Sequence, residues 1–151
     1  MSKVIITLLT VLSISISFLA DSYEYKSNEY PKIERLINAY FQVFLIGDKN
    51  KVIESFDESI ADVRELVIDK NGQQHIKIHR LSDYFKGITS PVAIAKTAKI
   101  LKVDVVNNDM AYVKVSFDMS RNRRLIDYLM LYKINNQWKI VTKMFSVEPN
   151  K

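Results

Sequence analysis

From Lys99 to Val147 apolar and polar residues alternate with a period of two, interrupted at three points by short runs of Asn, Asp and Arg. A strand turns successive side chains to opposite faces, so this pattern predicts four strands joined by three tight turns. Matching apolar faces across each turn sets the register. Taking Asn107-Asn108-Asp109 as a three-residue loop places Val105 opposite Ala111, Val103 opposite Val113 and Leu101 opposite Val115. Taking Arg121-Asn122-Arg123 as the next loop places Val113 opposite Leu131, Val115 opposite Leu129 and Phe117 opposite Asp127. The Asn135-Asn136 turn places Leu131 opposite Ile140, Leu129 opposite Thr142 and Asp127 opposite Met144.

One face of this sheet then collects Leu101, Val103, Val105, Val113, Val115, Phe117, Leu125, Leu129, Leu131, Trp138, Ile140 and Met144. It reads as a core face, where burying each side chain contributes roughly 1.5–3 kcal/mol. A single carboxylate, Asp127, interrupts it. The other face carries Tyr112, Lys114, Ser116, Ile126, Tyr128, Met130, Tyr132, Lys139, Val141, Lys143 and Phe145. That mixture is too apolar for a solvated face and too charged for a core. Aromatic and Met enrichment with polar edges predicts a homodimer face built from Tyr128, Met130, Tyr132, Val141 and Phe145. The plainer alternative is that Tyr and Lys stems simply cover the sheet.

Upstream the period lengthens. Ile33, Leu36, Ile37, Tyr40, Phe41, Phe44 and Leu45 recur at three and four residues, which predicts a helix opened by Tyr30-Pro31 and ended by Gly47. Asp48 is placed to cap a second short helix with Val52, Ile53 and Phe56 inward. Residues 60–68 and 74–79 flank Lys70-Asn71-Gly72-Gln73, a hairpin signal that predicts a type I′ turn. Ser82 is expected to cap a helix over 83–86 closed by Gly87, and residues 88–95, with Ser90-Pro91, form a loop.

Met1 to Ala20 has one early cation, Lys3, then an apolar run diluted by Ser and Thr, then Asp21 and Ser22. That order matches a secretory signal peptide, with an uncleaved anchor as the rival. The expected division is a signal segment over 1–20, a loose leader over 21–29 and one domain over 30–151, in a protein that is periplasmic or secreted and has no membrane contact after cleavage. A chain of 151 residues that is 48% hydrophobic with only 3 Gly and 3 Pro suits one globular domain. The formal charge is +5, or +4 without Lys3, with bases and acids interleaved. That argues against nucleic acid as a partner. With no Cys there are no disulfides, no thiolate metal site and no Cys nucleophile.

Two stretches bring in a family. Tyr40 to Gly47-Asp48 with Val52-Ile-Glu-Ser-Phe56, and Asp127-Tyr-Leu through Trp138-Lys-Ile-Val-Thr-Lys-Met-Phe145, resemble the putative lumazine-binding family of the nuclear transport factor 2-like superfamily. The resemblance covers roughly residues 31–147. It implies an α+β, cystatin-like cone: N-terminal helices packed in a curved, mostly antiparallel sheet, with a cavity between them and pairing through the sheet. Where that family commonly shows a His-Pro-Asp turn, this chain has Asp57-Glu58-Ser59, which weighs against any activity that used that histidine.

Asp127 is the sharpest candidate for chemistry. A carboxylate among Phe117, Met144 and leucines would be desolvated, and related folds use carboxylates in the cavity for isomerase, cyclase or dehydratase chemistry. The alternative is that it accepts hydrogen bonds from backbone, a Tyr or Thr142 and orders the core. Tyr40, Phe44, Tyr84, Phe117, Asp127, Leu129, Trp138 and Thr142 would line a pocket for a small apolar or aromatic ligand, unless they are core packing alone. His75 and His79 lie four apart on one strand, roughly 13 Å at about 3.3 Å per residue, too far to share a metal; they read as surface histidines with Lys77 on their face. Arg121, Arg123 and Arg124 cluster at a hairpin tip as a solvated turn. No phosphate loop, Ser-His-Asp arrangement or metal spacing occurs, and no cofactor is implied. The expected role is a non-enzymatic ligand-binding or dimerisation module, with an Asp127 enzyme and a filled-cavity interaction protein as alternatives.

Overall fold

Two helices, α1 (Tyr30–Leu45) and α2 (Asn50–Ser55), lead into the strands β1 (Asp62–Ile68) and β2 (Gln74–Arg80) and a short helix α3 (Leu81–Lys86). Four long strands follow: β3 (Ala95–Val106), β4 (Met110–Met119), β5 (Arg123–Ile134) and β6 (Gln137–Pro149). These are the elements of a computed structural model that describes residues 28–86, 95–120 and 122–149. The expected signal segment, residues 21–27 of the expected leader, Gly87 with the loop through 94, and Arg121 lie outside the described residues.

All six strands form one curved mixed sheet in the order β2-β1-β6-β5-β4-β3. Every pairing is antiparallel except β1 with β6. The helix α1 lies across the concave face against β3 and β6. Its buried stripe Ile33, Ile37, Tyr40, Phe41 and Phe44 meets Val113, Val115, Phe117, Leu129, Leu131 and Ile140, so the apolar trough faces inward as expected. Six aromatic rings, from Tyr40, Phe41, Phe44, Phe56, Phe85 and Phe117, fill its middle at centroid separations of 4.8–6.3 Å, mostly edge to face.

The local signals fall where their chemistry requires. Pro31 sits in the first turn of α1, and Gly47 takes φ 74° just past its end. The Asp48 carboxylate accepts from the Asn50 amide at 3.1 Å ahead of α2. Asn107-Asn108 and Asn135-Asn136 adopt positive φ in pairs, as type I′ turns need. The first hairpin differs in its turn. Only Gly72 has positive φ there, while Asp69 Oδ1 accepts from the Asn71 and Gln73 amides. A carboxylate-stabilised turn with a left-handed Gly replaces the expected type I′ form. Ser82 lies inside α3, which starts directly after β2 at Leu81.

Register corrections carry more weight. The pairs across β4 and β5 are Val113 with Leu129, Val115 with Asp127 and Phe117 with Leu125. This slip of two residues leaves every face unchanged. Two bulges do change faces. The first, between Ile100 and Lys102, sets Ile100 opposite Val115 and puts Leu101 in solvent at 49% exposure. The second lies in β6, where Leu131 pairs with Ile140 but Met130 pairs with Thr142, so Val141 is the extra residue. Beyond it the faces are reversed. Lys143 and Phe145 turn inward, opposite Leu129 and Asp127, while Thr142 and Met144 turn outward. The expected core place of Met144, the pocket place of Thr142 and the dimer-face place of Phe145 are therefore all overturned.

Candidate functional site

Three polar side chains from three elements meet inside the aromatic trough. Tyr40 projects from the middle of α1, Asp127 from β5 and Lys143 from β6, and all three are fully buried. The Tyr40 hydroxyl donates to Asp127 Oδ2 at 2.5 Å. The Lys143 ammonium donates to the same carboxylate oxygen at 2.9 Å and to Tyr40 Oη at 2.8 Å. A buried charge needs a partner and further hydrogen bonds to be tolerated, and each of the three groups supplies that for the others. Sequence reasoning places Lys143 on the outer face and so misses it. A signal was present nonetheless, because a lone acid on an apolar face calls for a cation within reach on a neighbouring strand, and Lys143 answers it one bulge away.

Four rings close around the ammonium. Nζ of Lys143 lies 4.8 Å from the Phe44 centroid, 5.1 Å from Phe145, 5.5 Å from Tyr84 and 5.6 Å from Tyr40. These distances are within cation–π range. Burial pulls the Lys143 pKa below the usual lysine value, while the Asp127 carboxylate pulls it back up. Burial first, then Asp127, pushes the Tyr40 hydroxyl well above the usual tyrosine range, so it is a donor and stays protonated. Tyr84 is shifted upward chiefly by its own burial. Of the carboxylate's two oxygens, Oδ2 takes both hydrogen bonds; Oδ1 is buried with no partner among the described residues.

The remaining expected site residues divide clearly. Phe44 and Tyr84 face Lys143, Leu129 pairs with it across the sheet, and Phe117 packs against Tyr40 and Phe44. Trp138 does not reach this site. Its indole N–H donates to Glu29 Oε2 at 2.8 Å, and Glu29 also holds Lys32 at 2.9 Å and Lys133 at 3.0 Å. Those three donors bring the Glu29 carboxyl down to about 2, with the Trp138 bond first. Glu29 is thus anchored to the sheet through Trp138 and Lys133.

The histidines also part company. His75 is exposed, whereas His79 turns to the concave side, with Nε2 3.0 Å from Glu65 and its ring 5.7 Å from Tyr84. Ile76 and Ile78 on the other face are exposed as well, at 58% and 63%, so His75 and Lys77 lie at the surface as expected and only His79 departs. Arg124 pairs with Asp118 at 3.2 Å. Among the described residues no group of three His, Cys, Asp or Glu side chains could hold a metal ion, and no helix is long and apolar enough to cross a membrane.

Helices packed in a curved, mostly antiparallel sheet define the class, and solved structures share that fold. An NTF2-like protein of unknown function from Shewanella baltica OS155 superposes with a TM-score of 0.67 at 19% identity, over 81% of this chain and 95% of its own. One from Methylobacillus flagellatus KT gives 0.66 at 20% identity over 83% and 96%. A ketosteroid isomerase-like protein from Erwinia carotovora atroseptica SCRI1043 gives 0.60 at 16% identity over 80% and 97%. At these identities the likeness is one of fold. No curated protein matches the chain. The sequence profile described as putative lumazine-binding matches residues 28–146, and the chain belongs to that family.

Proposed function

We propose that this protein is an exported, non-enzymatic domain that binds a small, flat, hydrogen-bond-donating ligand beside the Tyr40–Asp127–Lys143 triad. The observation that carries the reading is a single atom. Asp127 Oδ1 is buried without a partner among the described residues, and a buried acceptor left empty costs about 1–3 kcal/mol. A ligand N–H or O–H removes that cost. Tyr84 and Phe145, both half-buried, flank Lys143 on the less sealed side and offer ring faces to an aromatic body. Lumazine, the ligand in the family's description, has both a flat ring system and N–H donors and is the natural probe. At about a hundredfold excess over Kd, lumazine should stabilise the protein by about 2.7 kcal/mol, a rise of several degrees in Tm. Asp127→Asn should abolish the rise. A wild type whose Tm ignores lumazine, or a variant that keeps the full rise, sinks the reading.

Acid–base catalysis at Asp127 is the second reading. It is favoured by the hydrogen bonds from Tyr40 and Lys143 to the Asp127 carboxylate, which set two proton donors beside one acceptor. Turnover of a ketosteroid by the wild type, lost in Asp127→Asn, would replace the first conclusion with this one.

The domain is further proposed to act as a homodimer through its convex face. Supporting this, Tyr128, Tyr132 and Met144 are exposed there beside Leu66, Ile76 and Ile78 of the first hairpin, an apolar area of the kind that marks interfaces. Sedimentation should give a dimer, and Ile78→Lys with Tyr128→Lys a monomer. A monomeric wild type at micromolar concentration refutes it.

A further inference from the structure

A groove of about 460 Å³ lies between the outer side of α1, α2 and the β5–β6 turn. That is the size of a small-molecule site. Lys32, Arg35, Leu36 and Ala39 line it at helical spacing, on a different face of α1 from the stripe that carries Tyr40. Trp138 forms its apolar wall, and the Glu29 bond to the indole nitrogen fixes that ring in place. Trp138, which sequence reasoning assigned to a central cavity, therefore lines this groove instead.

The groove's charge is one-sided. Lys32, Arg35, Lys51 and Lys139 line it against a single acid, Glu54. Three of the four cations are engaged: Lys32 with Glu29, Lys51 with Glu54 at 2.6 Å, and Lys139 with the carbonyls of Ile53 and Glu54 at 3.1 and 2.9 Å. Arg35 has no hydrogen bond or ion pair among the described residues. Its guanidinium is a free two-pronged donor of the shape that a carboxylate accepts.

We infer that this groove binds a small organic anion, a carboxylate carried on a flat apolar body. The carboxylate pairs with Arg35 and the body lies on Leu36, Ala39 and Trp138. This site stands apart from the central triad and does not rest on a ligand binding there. Since Trp138 is the only tryptophan of the chain, its fluorescence reports the groove directly. Titration of the full chain with 4-nitrobenzoate should quench it saturably. Neutral 4-nitrobenzyl alcohol should bind at least about tenfold more weakly, and Arg35→Gln should weaken the anion by about tenfold. Quenching that does not saturate, equal quenching by the alcohol, or an unaltered Arg35→Gln would each overturn the assignment. Arg35 is exposed, so its variants test binding without challenging the fold.

Discussion

Two carboxylates tie α1 to the sheet, and they are satisfied in different ways. Glu29, at the head of the helix, takes Trp138 on one oxygen and Lys32 and Lys133 on the other, at the rim of the domain where Lys32 is half exposed. Asp127, beneath the middle of the helix, takes Tyr40 and Lys143 on one oxygen and, among the described residues, nothing on the other, at zero exposure. The rim acid is complete and acts as a clamp. The sealed acid is held just as firmly but keeps one acceptor in reserve. Anchoring alone does not require that reserve, which is why the functional assignment falls on Asp127 and not on Glu29.

The largest effect that would break this contrast comes from Lys143. Lys143→Met leaves the Asp127 charge buried with only a hydroxyl for company and should cost about 3–5 kcal/mol in urea unfolding. Adding Asp127→Leu should recover most of the loss, since a buried pair replaced by apolar groups is often neutral or better. A loss under about 1 kcal/mol for Lys143→Met alone would mean that no uncompensated charge remains there, and the contrast would dissolve. Glu29 should instead declare itself through pH. Its folded pKa of about 2 lies below the ordinary 4.5. The clamp's stabilisation is therefore complete above pH 4.5 and is lost as the pH falls through about 2. Glu29→Gln should be less stable at neutral pH and show a flatter acid limb in unfolding midpoints measured across that window; parallel limbs for the two proteins would remove Glu29 from the clamp. The smallest effect belongs to the outer bulge. Leu101→Lys should change stability by no more than about 0.5 kcal/mol, because the residue is half exposed; a loss of core size would show that it is buried.

Much of the fold was legible because its signals are local. The Asn pairs that tolerate positive φ, Gly47 past the helix end and the period-two runs each act within a few residues. Asp127 was legible as an oddity by the same reasoning. Its partner was not, because one unpaired residue at Val141 reverses the faces of the strand beyond it, and a bulge leaves no mark in the run Lys139-Ile-Val-Thr-Lys-Met144. Glu29 was hidden for a related reason. Its partners Trp138 and Lys133 stand more than a hundred positions away in sequence.

By itself, then, the chain determined its strands, its turns, the apolar stripe of α1 and the presence of one acid on a greasy face, since each follows from chemistry between near neighbours. Tertiary structure decided how that acid is neutralised. Before the bulge β6 meets Phe56 and Asp57 at Ile140, and after it β1 runs alongside in parallel from Thr142. The change of neighbour coincides with the extra residue that turns Lys143 inward, and such long-range pairing is set by the packing of the whole sheet.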